Sequence, residues 1–479
     1  MPPHAQRPLD VLVIGAGPAG VVAAVRAARL GARTGLVTRD ALGGMAANDG
    51  PVPVRTLAQA ARLIREARRL DAYGIAASEP LLDYRALLAR VAEVTHDVRT
   101  HSILRDDLER AGVSIHEHAG TARFVDPHTV ESEAGPRLRA RSVVICTGGI
   151  PRRIDVPGGE LTSTHSDAWT LTETPPSMLV IGAGATGVQV ASIFNAFGTR
   201  VELFEAAPRI LMTEDEDVAS SMRGALRGLG VTVTEDGGLI DRFERCPAGV
   251  RLVASTGAGE RQAEAALAVV AIGWAAGAAD LALHAAGVES DRRGFVTVDR
   301  YLRTSAEHVY AAGDVTGAAM LAHEAVREGF VAATNAAGAD AIPLTAEASP
   351  VGSFTDPEYA SVGLTEHAAR ESHDVIVATI RFDALPRPII DGRTTGFCKL
   401  IADREDHSIL GCHIVGERAV ELAQVAAVAM TAGMRVEQLA LVPFSFPTYA
   451  NALGRAAVTA AGELGILFPA ADTEAAAVS

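Results

Sequence analysis

Cysteine is scarce in this chain. The 479 residues include four cysteines, which are Cys146, Cys246, Cys398 and Cys412. They lie far apart in the sequence and form no CxxC or CxxxxC pair, so their spacing indicates neither a structural zinc site nor a local redox disulfide. We interpret them as reduced thiols in a cytosolic protein.

An excess of positive charge and long apolar runs are also lacking. The formal net charge is -15, which would repel a phosphate backbone or an anionic membrane. The most apolar later stretch, residues 422–433, follows Glu421 and is too short to span a bilayer. The first residues run straight into a strand without the apolar segment of a signal peptide. We therefore expect a cytoplasmic protein with neither a nucleic acid nor a membrane as partner.

Metal-ligand spacing is missing as well. His116 and His118, on either side of Glu117, and His323 beside Glu324 lack the i, i+4 pairing of a helical metal site. We predict no metal site.

The abundant residues indicate the fold class. The chain is 48% hydrophobic, contains 46 glycines and is rich in alanine, a composition that favours closely packed helices and tight turns at strand ends. Its length corresponds to about three domains at roughly 150 residues each. These features predict a multidomain α/β enzyme.

The first informative segment is Asp10 to Gly20, in which an apolar strand, a glycine turn and an alanine-rich helix follow one another. Gly15 allows the tight turn, Gly17 lets the backbone approach a pyrophosphate, and Gly20 lets the helix pack on the strand. The helix N-terminus then faces the phosphates. This order predicts a dinucleotide site.

A second copy of the pattern spans Met178 to Gly187, with Gly182, Gly184 and Gly187 at the same spacing. Two copies predict two bound nucleotides. Glu205 lies 23 residues after Gly182, at the end of the next strand, where a carboxylate accepts ribose hydroxyls and repels a 2'-phosphate. The sequence therefore favours NADH over NADPH.

Other strand ends fit the same scheme. The same offset in the first unit falls on Thr38, so a hydroxyl replaces the usual ribose carboxylate there. One strand ends in Thr147 and Gly148, and another ends in Gly313 and Asp314. The carboxylate of Asp314 either reaches a ligand hydroxyl or caps the following helix.

Together these segments resemble the flavoprotein disulfide reductases, the family of lipoamide dehydrogenase, glutathione reductase and mercuric reductase. The similarity covers nearly the whole chain and its motifs occur in the family's order. They are the FAD motif with Pro18 and Ala19, the turn with Gly43 and Gly44, the Thr147-Gly148 element, the NAD motif with Thr186, the Gly313-Asp314 motif and the segment Phe354 to Glu366. Gly273 is a further expected cofactor contact.

The resemblance implies two Rossmann-like nucleotide-binding domains and a C-terminal α+β interface domain in a homodimer. We expect an FAD domain in two parts, residues 1–165 and 288–348, an inserted NAD(P) domain at 166–287, and the interface domain at 349–479. FAD and NAD(P)H are the expected cofactors, and Asp314 would bond the ribityl chain of FAD.

The residues that carry the family's chemistry differ here. Ala46 and Pro51 stand where the family has its two redox cysteines, and neither side chain can exchange electrons with a disulfide. The family's His and Glu proton relay aligns with Phe446 and Asn451. Its Lys and Glu pair near the flavin aligns with Arg55 and Gln189, where an arginine can stabilise reduced, anionic flavin.

The resemblance also implies what faces the flavin. Met45, Ala46 and Pro51 would lie opposite four residues of the second subunit, which are Phe444, Phe446, Tyr449 and Asn451. Such a slot suits a planar organic acceptor, with Tyr449 and Asn451 bonding its carbonyl. Alternatively, these aromatic residues fill the interface core. The basic segment at residues 62–69 is interpreted as a solvated helix face.

We therefore predict an FAD-dependent NAD(P)H dehydrogenase that passes two electrons to a quinone or another small electrophile by direct hydride transfer. Three alternatives stay open: a soluble pyridine nucleotide transhydrogenase, a flavin-dependent tailoring oxidase of a small metabolite, and a non-catalytic flavoprotein.

Overall fold

The computed structural model describes residues 7–101, 104–345 and 348–466. Its first segment forms a sheet with helices against it. The strands are β1 (Leu9–Ile14), β2 (Thr34–Val37), β3 (Ser114–His116), β4 (Ala122–Asp126), β5 (Thr129–Ser132), β6 (Leu138–Ile145) and β7 (Gly149–Pro151). Strands β1, β2, β3 and β6 of this sheet are parallel, whereas β4 and β5 are antiparallel. The helices are α1 (Pro18–Arg29), α2 (Gly44–Asn48), α3 (Pro51–Ala67), α4 (Tyr84–His101) and α5 (Leu104–Arg110).

The next segment builds a second parallel sheet and an antiparallel three-stranded sheet. The strands are β8 (Ser163–Thr164), β9 (Ser177–Ile181), β10 (Arg200–Phe204), β11 (Thr232–Thr234), β12 (Leu239–Cys246), β13 (Gly249–Thr256), β14 (Gly259–Ala265), β15 (Leu267–Val270) and β16 (Trp274–Ala276). The helices are α6 (His165–Ala168), α7 (Ala185–Ala196) and α8 (Glu216–Gly228).

The chain then returns to the first sheet and ends in a separate antiparallel sheet. The returning elements are β17 (Val309–Ala311) and α9 (Ala322–Ala336). The C-terminal domain contains β18 (Val351–Ser353), β19 (Tyr359–Gly363), β20 (Val375–Arg381), β21 (Phe397–Asp403), β22 (Ile409–Val415), α10 (Glu366–Arg370), α11 (Pro386–Ile390), α12 (Ala419–Thr431), α13 (Val436–Ala440) and α14 (Asn451–Glu463).

The two parallel sheets have matching topology. The first runs β3-β2-β1-β6 with β17 beside β6, and the second runs β11-β10-β9-β15-β8. In both, the first strand of the glycine motif lies centrally and its helix follows the turn, which is the doubly wound arrangement. The C-terminal sheet runs β18-β19-β22-β21-β20 in antiparallel order. The predicted fold class is confirmed.

The inserted unit starts and ends earlier than predicted. Strand β8 at Ser163–Thr164 already pairs with β15 of the second sheet, before the expected start at 166. Beyond Gly273, Ala278 and Leu281 belong to the core around Leu12 of the first sheet, well before the expected end at 287. The crossover is the short antiparallel pair of β7 and β16, which is too brief to give a periodic sequence signal.

Helix α3 joins the nucleotide-binding units to the C-terminal domain. Arg62 bonds Glu417 at 2.6 Å. The buried Arg65 donates to the Ser192 carbonyl of α7 at 2.6 Å and lies 3.6 Å from Asp356. The interpretation of this basic segment as a solvated face is therefore wrong for Arg62 and Arg65, because both guanidinium groups meet partners from other parts of the chain.

Lys399 of the C-terminal domain forms ion pairs with the start of α8. It is the one lysine in the sequence and is buried, with its Nζ at 2.9 Å from Asp215, 2.8 Å from Asp217 and 2.5 Å from Glu366. Asp215 is itself buried and forms the N-cap of α8. The ammonium therefore neutralises a carboxylate that has left water.

We expect Lys399→Met to lower the free energy of unfolding by about 3–5 kcal/mol, because it leaves the buried Asp215 without its cation. Urea unfolding of the FAD-loaded protein measures this loss. The matched control is Arg370→Met, which removes a largely exposed partner of the same Glu366 and should cost less than about 1 kcal/mol. Equal losses in the two variants would contradict the assignment.

Candidate active site

A cavity of about 940 Å³ lies between the first glycine turn, α2 and the start of α3, α6 and the start of α7. Many predicted cofactor residues line it. They are Gly15, Gly17, Pro18, Ala19, Thr38, Gly44, Thr147, Gly148, Thr186, Gly313 and Asp314. Gln189, predicted as a catalytic residue, lines it as well, and Met45, Ala46 and Pro51 lie in the same wall. The predicted cofactor residues outside the lining are Gly20, Gly43, Gly182, Gly184, Gly187, Glu205 and Gly273. The first nucleotide-binding unit therefore supplies most of the cavity, and the second reaches it through the start of α7.

The glycine turns have the geometry that their spacing predicts. Gly15 has φ +102°, and a Cβ there would lie 2.2 Å from the Cys146 carbonyl oxygen. A Cβ on Gly20 would lie 1.9 Å from the Gly15 carbonyl oxygen, and one on Gly187 would lie 1.8 Å from that of Gly182. At Gly184 a Cβ would meet nothing within 4 Å. The first and third glycines therefore serve packing, while the second leaves room for a ligand.

Several buried polar atoms of the cavity wall have no hydrogen-bond partner. Among the described residues these atoms are Asn48 Oδ1, Arg99 Nε, Thr147 Oγ1, His165 Nε2 and Trp169 Nε1. A buried polar group without a partner is costly. Together with the two glycine turns, these atoms fit a large polar cofactor such as a dinucleotide.

Asp314 and Glu328 place two carboxyl groups at the end of β17. Burial raises the pKa of both side chains, and that of Glu328 to about 7. Glu328 Oε2 accepts the Gly313 N–H at 2.6 Å, which fixes the turn that carries Asp314. Asp314 is the first residue of a short 3-10 helix, after Gly313 at the N-cap, and lines the cavity.

Arg55 and Gln189 meet at one residue, Phe354. The Arg55 guanidinium lies 3.7 Å from the centre of the Phe354 ring. Gln189 accepts the Phe354 N–H at 3.3 Å and donates to the Ala185 carbonyl at 2.9 Å. Phe354 lines the cavity beside Gln189. Arg55 thus lies behind Phe354 rather than in the cavity wall.

Glu205 and Gly273 lie at strand ends of the second sheet. Glu205 accepts the N–H groups of Ala183 at 2.7 Å and Ala207 at 2.9 Å, so its carboxylate is oriented toward the glycine turn. Arg209, the nearest following arginine, donates to backbone carbonyls, including that of Leu211 at 2.6 Å. Gly273 follows β15 with φ +100° and open space where a Cβ would lie.

The C-terminal candidates divide between surface and core. Phe446 is 60% exposed and precedes a cis peptide bond to Pro447. Asn451 is half-buried at the start of α14. Tyr449 is buried; its hydroxyl donates to Asp391 at 3.0 Å and its ring packs 5.7 Å from that of Phe382.

The Tyr449 hydroxyl and ring are therefore engaged inside the C-terminal domain of their own subunit. Its contact with an acceptor across the two-fold, and the alternative of an interface-core residue, both stay predictions. Phe446 is one of several exposed apolar residues of this domain; the others are Leu364, Ile389, Ile390, Val425, Val428, Leu441 and Val442.

Sequence reasoning missed His165, Asp49 and both tryptophans as cavity residues. Ser166 donates to Asp49 at 2.5 Å, which joins the end of α2 to α6. The His165 ring meets that of Trp274 at 4.7 Å and 72°. A signal was available for Trp274, which directly follows the predicted strand end at Gly273 in an aromatic-poor chain.

Comparisons with known proteins agree with this architecture. The family model "Pyridine nucleotide-disulphide oxidoreductase" matches residues 9–329, and that of its dimerisation domain matches residues 349–457. The chain belongs to this family, whose members use FAD and NAD(P)H and form homodimers through the second domain.

Among its relatives, a dihydrolipoyl dehydrogenase of Zymomonas mobilis is 33% identical over 466 residues, covering 95% of this chain and 98% of the relative. A mercuric reductase of Lysinibacillus sphaericus is 31% identical over 455 residues, covering 94% and 82%. The solved structure of the HOCl-induced flavoprotein disulfide reductase RclA from Escherichia coli has a TM-score of 0.83 at 25% identity, covering 93% of this chain and 98% of that one.

No helix among the described residues has the length and hydropathy to cross a membrane. No group of three or more His, Cys, Asp or Glu side chains in these parts of the chain could hold a metal ion.

Glu328 gives a test of the site's electrostatics. Its folded pKa of about 7 lies above the ordinary 4.5. The folded state therefore binds more protons than the unfolded state, and the free energy of unfolding falls as the pH rises from about 4.5 through about 7. Glu328→Gln keeps an acceptor for the Gly313 N–H without the charge. Its stability gain over the original protein should grow by about 2 kcal/mol between pH 5.5 and 8, at about 1.4 kcal/mol per pKa unit.

Urea unfolding of the FAD-loaded proteins at the two pH values measures this gain. Asp340→Asn, at an exposed position, is the control and should show no such growth. A gain for Glu328→Gln that stays constant with pH would show that the carboxyl titrates in its ordinary range.

Proposed function

We propose that this protein is an FAD-dependent NADH:acceptor oxidoreductase in which electrons leave the flavin directly, without a redox disulfide. The observation that carries the proposal is the presence of Ala46 and Pro51 in the cavity wall, at the positions that align with the family's redox cysteines. Methyl and pyrrolidine groups neither form a disulfide nor accept electrons.

The positions of the four cysteines support this proposal. All four are free, and Cys146 is the one among the described cavity-lining residues. Burial raises the pKa of the Cys146 thiol, so it stays protonated and unreactive. Cys398 and Cys412 are neighbours on β21 and β22, inside the core of the C-terminal domain.

The chemistry that bound FAD supplies is hydride transfer, from a nicotinamide to the flavin and from the flavin to a second substrate. The chain's own residues hold and shield the reactants. Gln189 and Arg55 fix Phe354 from two sides, and the inert side chains of Met45, Ala46 and Pro51 form one wall. The acceptor is a small planar electrophile such as a quinone, because an apolar wall suits a flat ring.

NADH is the proposed donor. Glu205 points at the second glycine turn, and Arg209 is occupied by backbone carbonyls, so the strand end offers a carboxylate rather than a free guanidinium. A 2'-phosphate would be repelled. The same feature disfavours a transhydrogenase, which has to bind NADPH as well.

Reductive titration tests the absence of a disulfide. One equivalent of NADH per FAD should bleach the flavin completely under anaerobic conditions, since the flavin alone takes up two electrons. An enzyme with an additional redox disulfide takes up four electrons and needs two equivalents. Prior alkylation with iodoacetamide is the control and should leave the titration unchanged. A requirement for two equivalents in the untreated protein would refute direct transfer.

Substitution of Glu205 tests the nucleotide preference. Glu205→Gln removes the charge that repels a 2'-phosphate, so the ratio of kcat/KM for NADH to that for NADPH should fall roughly 10-fold, on the order of 1.4 kcal/mol. Steady-state kinetics with both nucleotides measures the ratio. Glu202→Gln is the matched control, because this carboxylate on the same strand bonds Thr234 instead. Equal ratios in all three proteins would exclude a ribose contact by Glu205.

A further inference from the structure

The wall of the cavity formed by α6 and the residue after it carries two buried nitrogen atoms without partners. His165 and Trp169 are each 5% exposed, and both line the cavity. Neither His165 Nε2 nor Trp169 Nε1 has a hydrogen-bond partner in the described structure. Neither residue belongs to a glycine motif, and neither aligns with the reactive residues of the family.

The two side chains share one face of a helical turn. The backbone N–H of Trp169 donates to the backbone carbonyl of His165 at 3.2 Å. Residues four apart in a helix project to the same side. The Trp169 ring is held parallel to Phe194 of α7, with 6.1 Å between ring centres and 14° between planes. His165 is held edge-on against Trp274. Both nitrogens are therefore fixed before a ligand arrives.

The chemistry of the pair selects an oxygen acceptor. The indole nitrogen can only donate a hydrogen bond. Burial lowers the pKa of His165, so its ring is neutral at pH 7 and donates from Nε2 in the tautomer that carries the proton there. Two N–H donors on one face match the two lone pairs of a carbonyl oxygen.

The surroundings disfavour a charged oxygen. The Asp49 carboxylate lies in the same wall and accepts a hydrogen bond from the hydroxyl of Ser166, the residue after His165. A ligand carboxylate or phosphate would be repelled there, whereas a neutral carbonyl would not. Trp169 and Trp274 add aromatic surface, which favours a carbonyl attached to a planar ring.

We propose that His165 Nε2 and Trp169 Nε1 form a carbonyl-binding pair that holds the oxygen of a planar ring substrate in this cavity. The proposal rests on the oxidoreductase function above and adds a recognition site to it. Two substrates of that function carry such an oxygen: the carboxamide of the nicotinamide and the carbonyl of a quinone-like acceptor.

Ligand pairs that differ only in the carbonyl groups give the sharpest test. Menadione and 2-methylnaphthalene share a ring skeleton, but only menadione offers carbonyl oxygens. Equilibrium dialysis of the oxidised, FAD-loaded protein gives the dissociation constant of each, and stopped-flow flavin reduction gives that of NADH. Because the sequence has two tryptophans and both line the cavity, quenching of intrinsic fluorescence reports binding at this place.

Trp169→Phe and His165→Leu should each weaken the binding of a carbonyl ligand about 5-fold, as expected for one lost hydrogen bond, and leave 2-methylnaphthalene unchanged. His165→Gln, which keeps an N–H donor, should recover part of the loss. His367→Gln, at an exposed position in the C-terminal domain, is the control. The two His165 variants serve as an independent pair if Trp169→Phe does not fold.

If the variants weaken the binding of menadione, the pair holds the acceptor carbonyl; if they weaken the binding of NADH, it holds the nicotinamide carboxamide. Weaker binding of both ligands identifies a shared site. Each of these outcomes supports the pair. Unchanged constants for both carbonyl ligands, or an equal loss for 2-methylnaphthalene, would overturn it. The NADH equivalents needed to bleach the flavin are measured separately, so a failure of direct transfer is distinguishable from a failure of this pair.

Discussion

The structure depends on the direct contact of backbones where α1 and α9 meet the central strands. Gly20 leaves no space for a side chain against the Gly15 carbonyl, and a Cβ on Gly329 of α9 would lie 2.3 Å from the Ala19 carbonyl oxygen. The two helices pack along much of their length because alanine and glycine face each other there. This close approach points the N-terminus of α1 at the cavity and lets Glu328 reach the Gly313 N–H.

On the proposed function, that scaffold is kept while the reactive groups differ. The glycine turns, Asp314 and the order of the strands agree with the family, whereas positions 46, 51, 446 and 451 carry Ala, Pro, Phe and Asn. Packing explains the first and third glycines of each turn, since a Cβ there would meet backbone atoms, while the second glycine of each turn leaves open space. On the proposed function, the intact glycine turns agree with a flavoprotein that has a different electron acceptor.

The sequence predicts those parts of the structure that local rules determine. Both nucleotide-binding turns and the fold class follow from glycine spacing and strand-helix order, because the third glycine of each motif packs against the carbonyl of the first. The ion pairs of Arg62 and Arg65 and the buried hydroxyl of Tyr449 involve residues distant in sequence. His165 and Trp169 likewise face the cavity only because α6 packs between β15 and α7.

Helix α3 has a consequence for how subunit assembly and the cavity are connected. Its first residue, Pro51, forms part of the cavity wall, and its 17 residues make a rod of about 25 Å at 1.5 Å per residue. Farther along, this rod is bound to Glu417 and Asp356 of the dimerisation domain. A displacement of that domain would therefore move Pro51 with it, so one helix links the position of the dimerisation domain to the wall of the cavity.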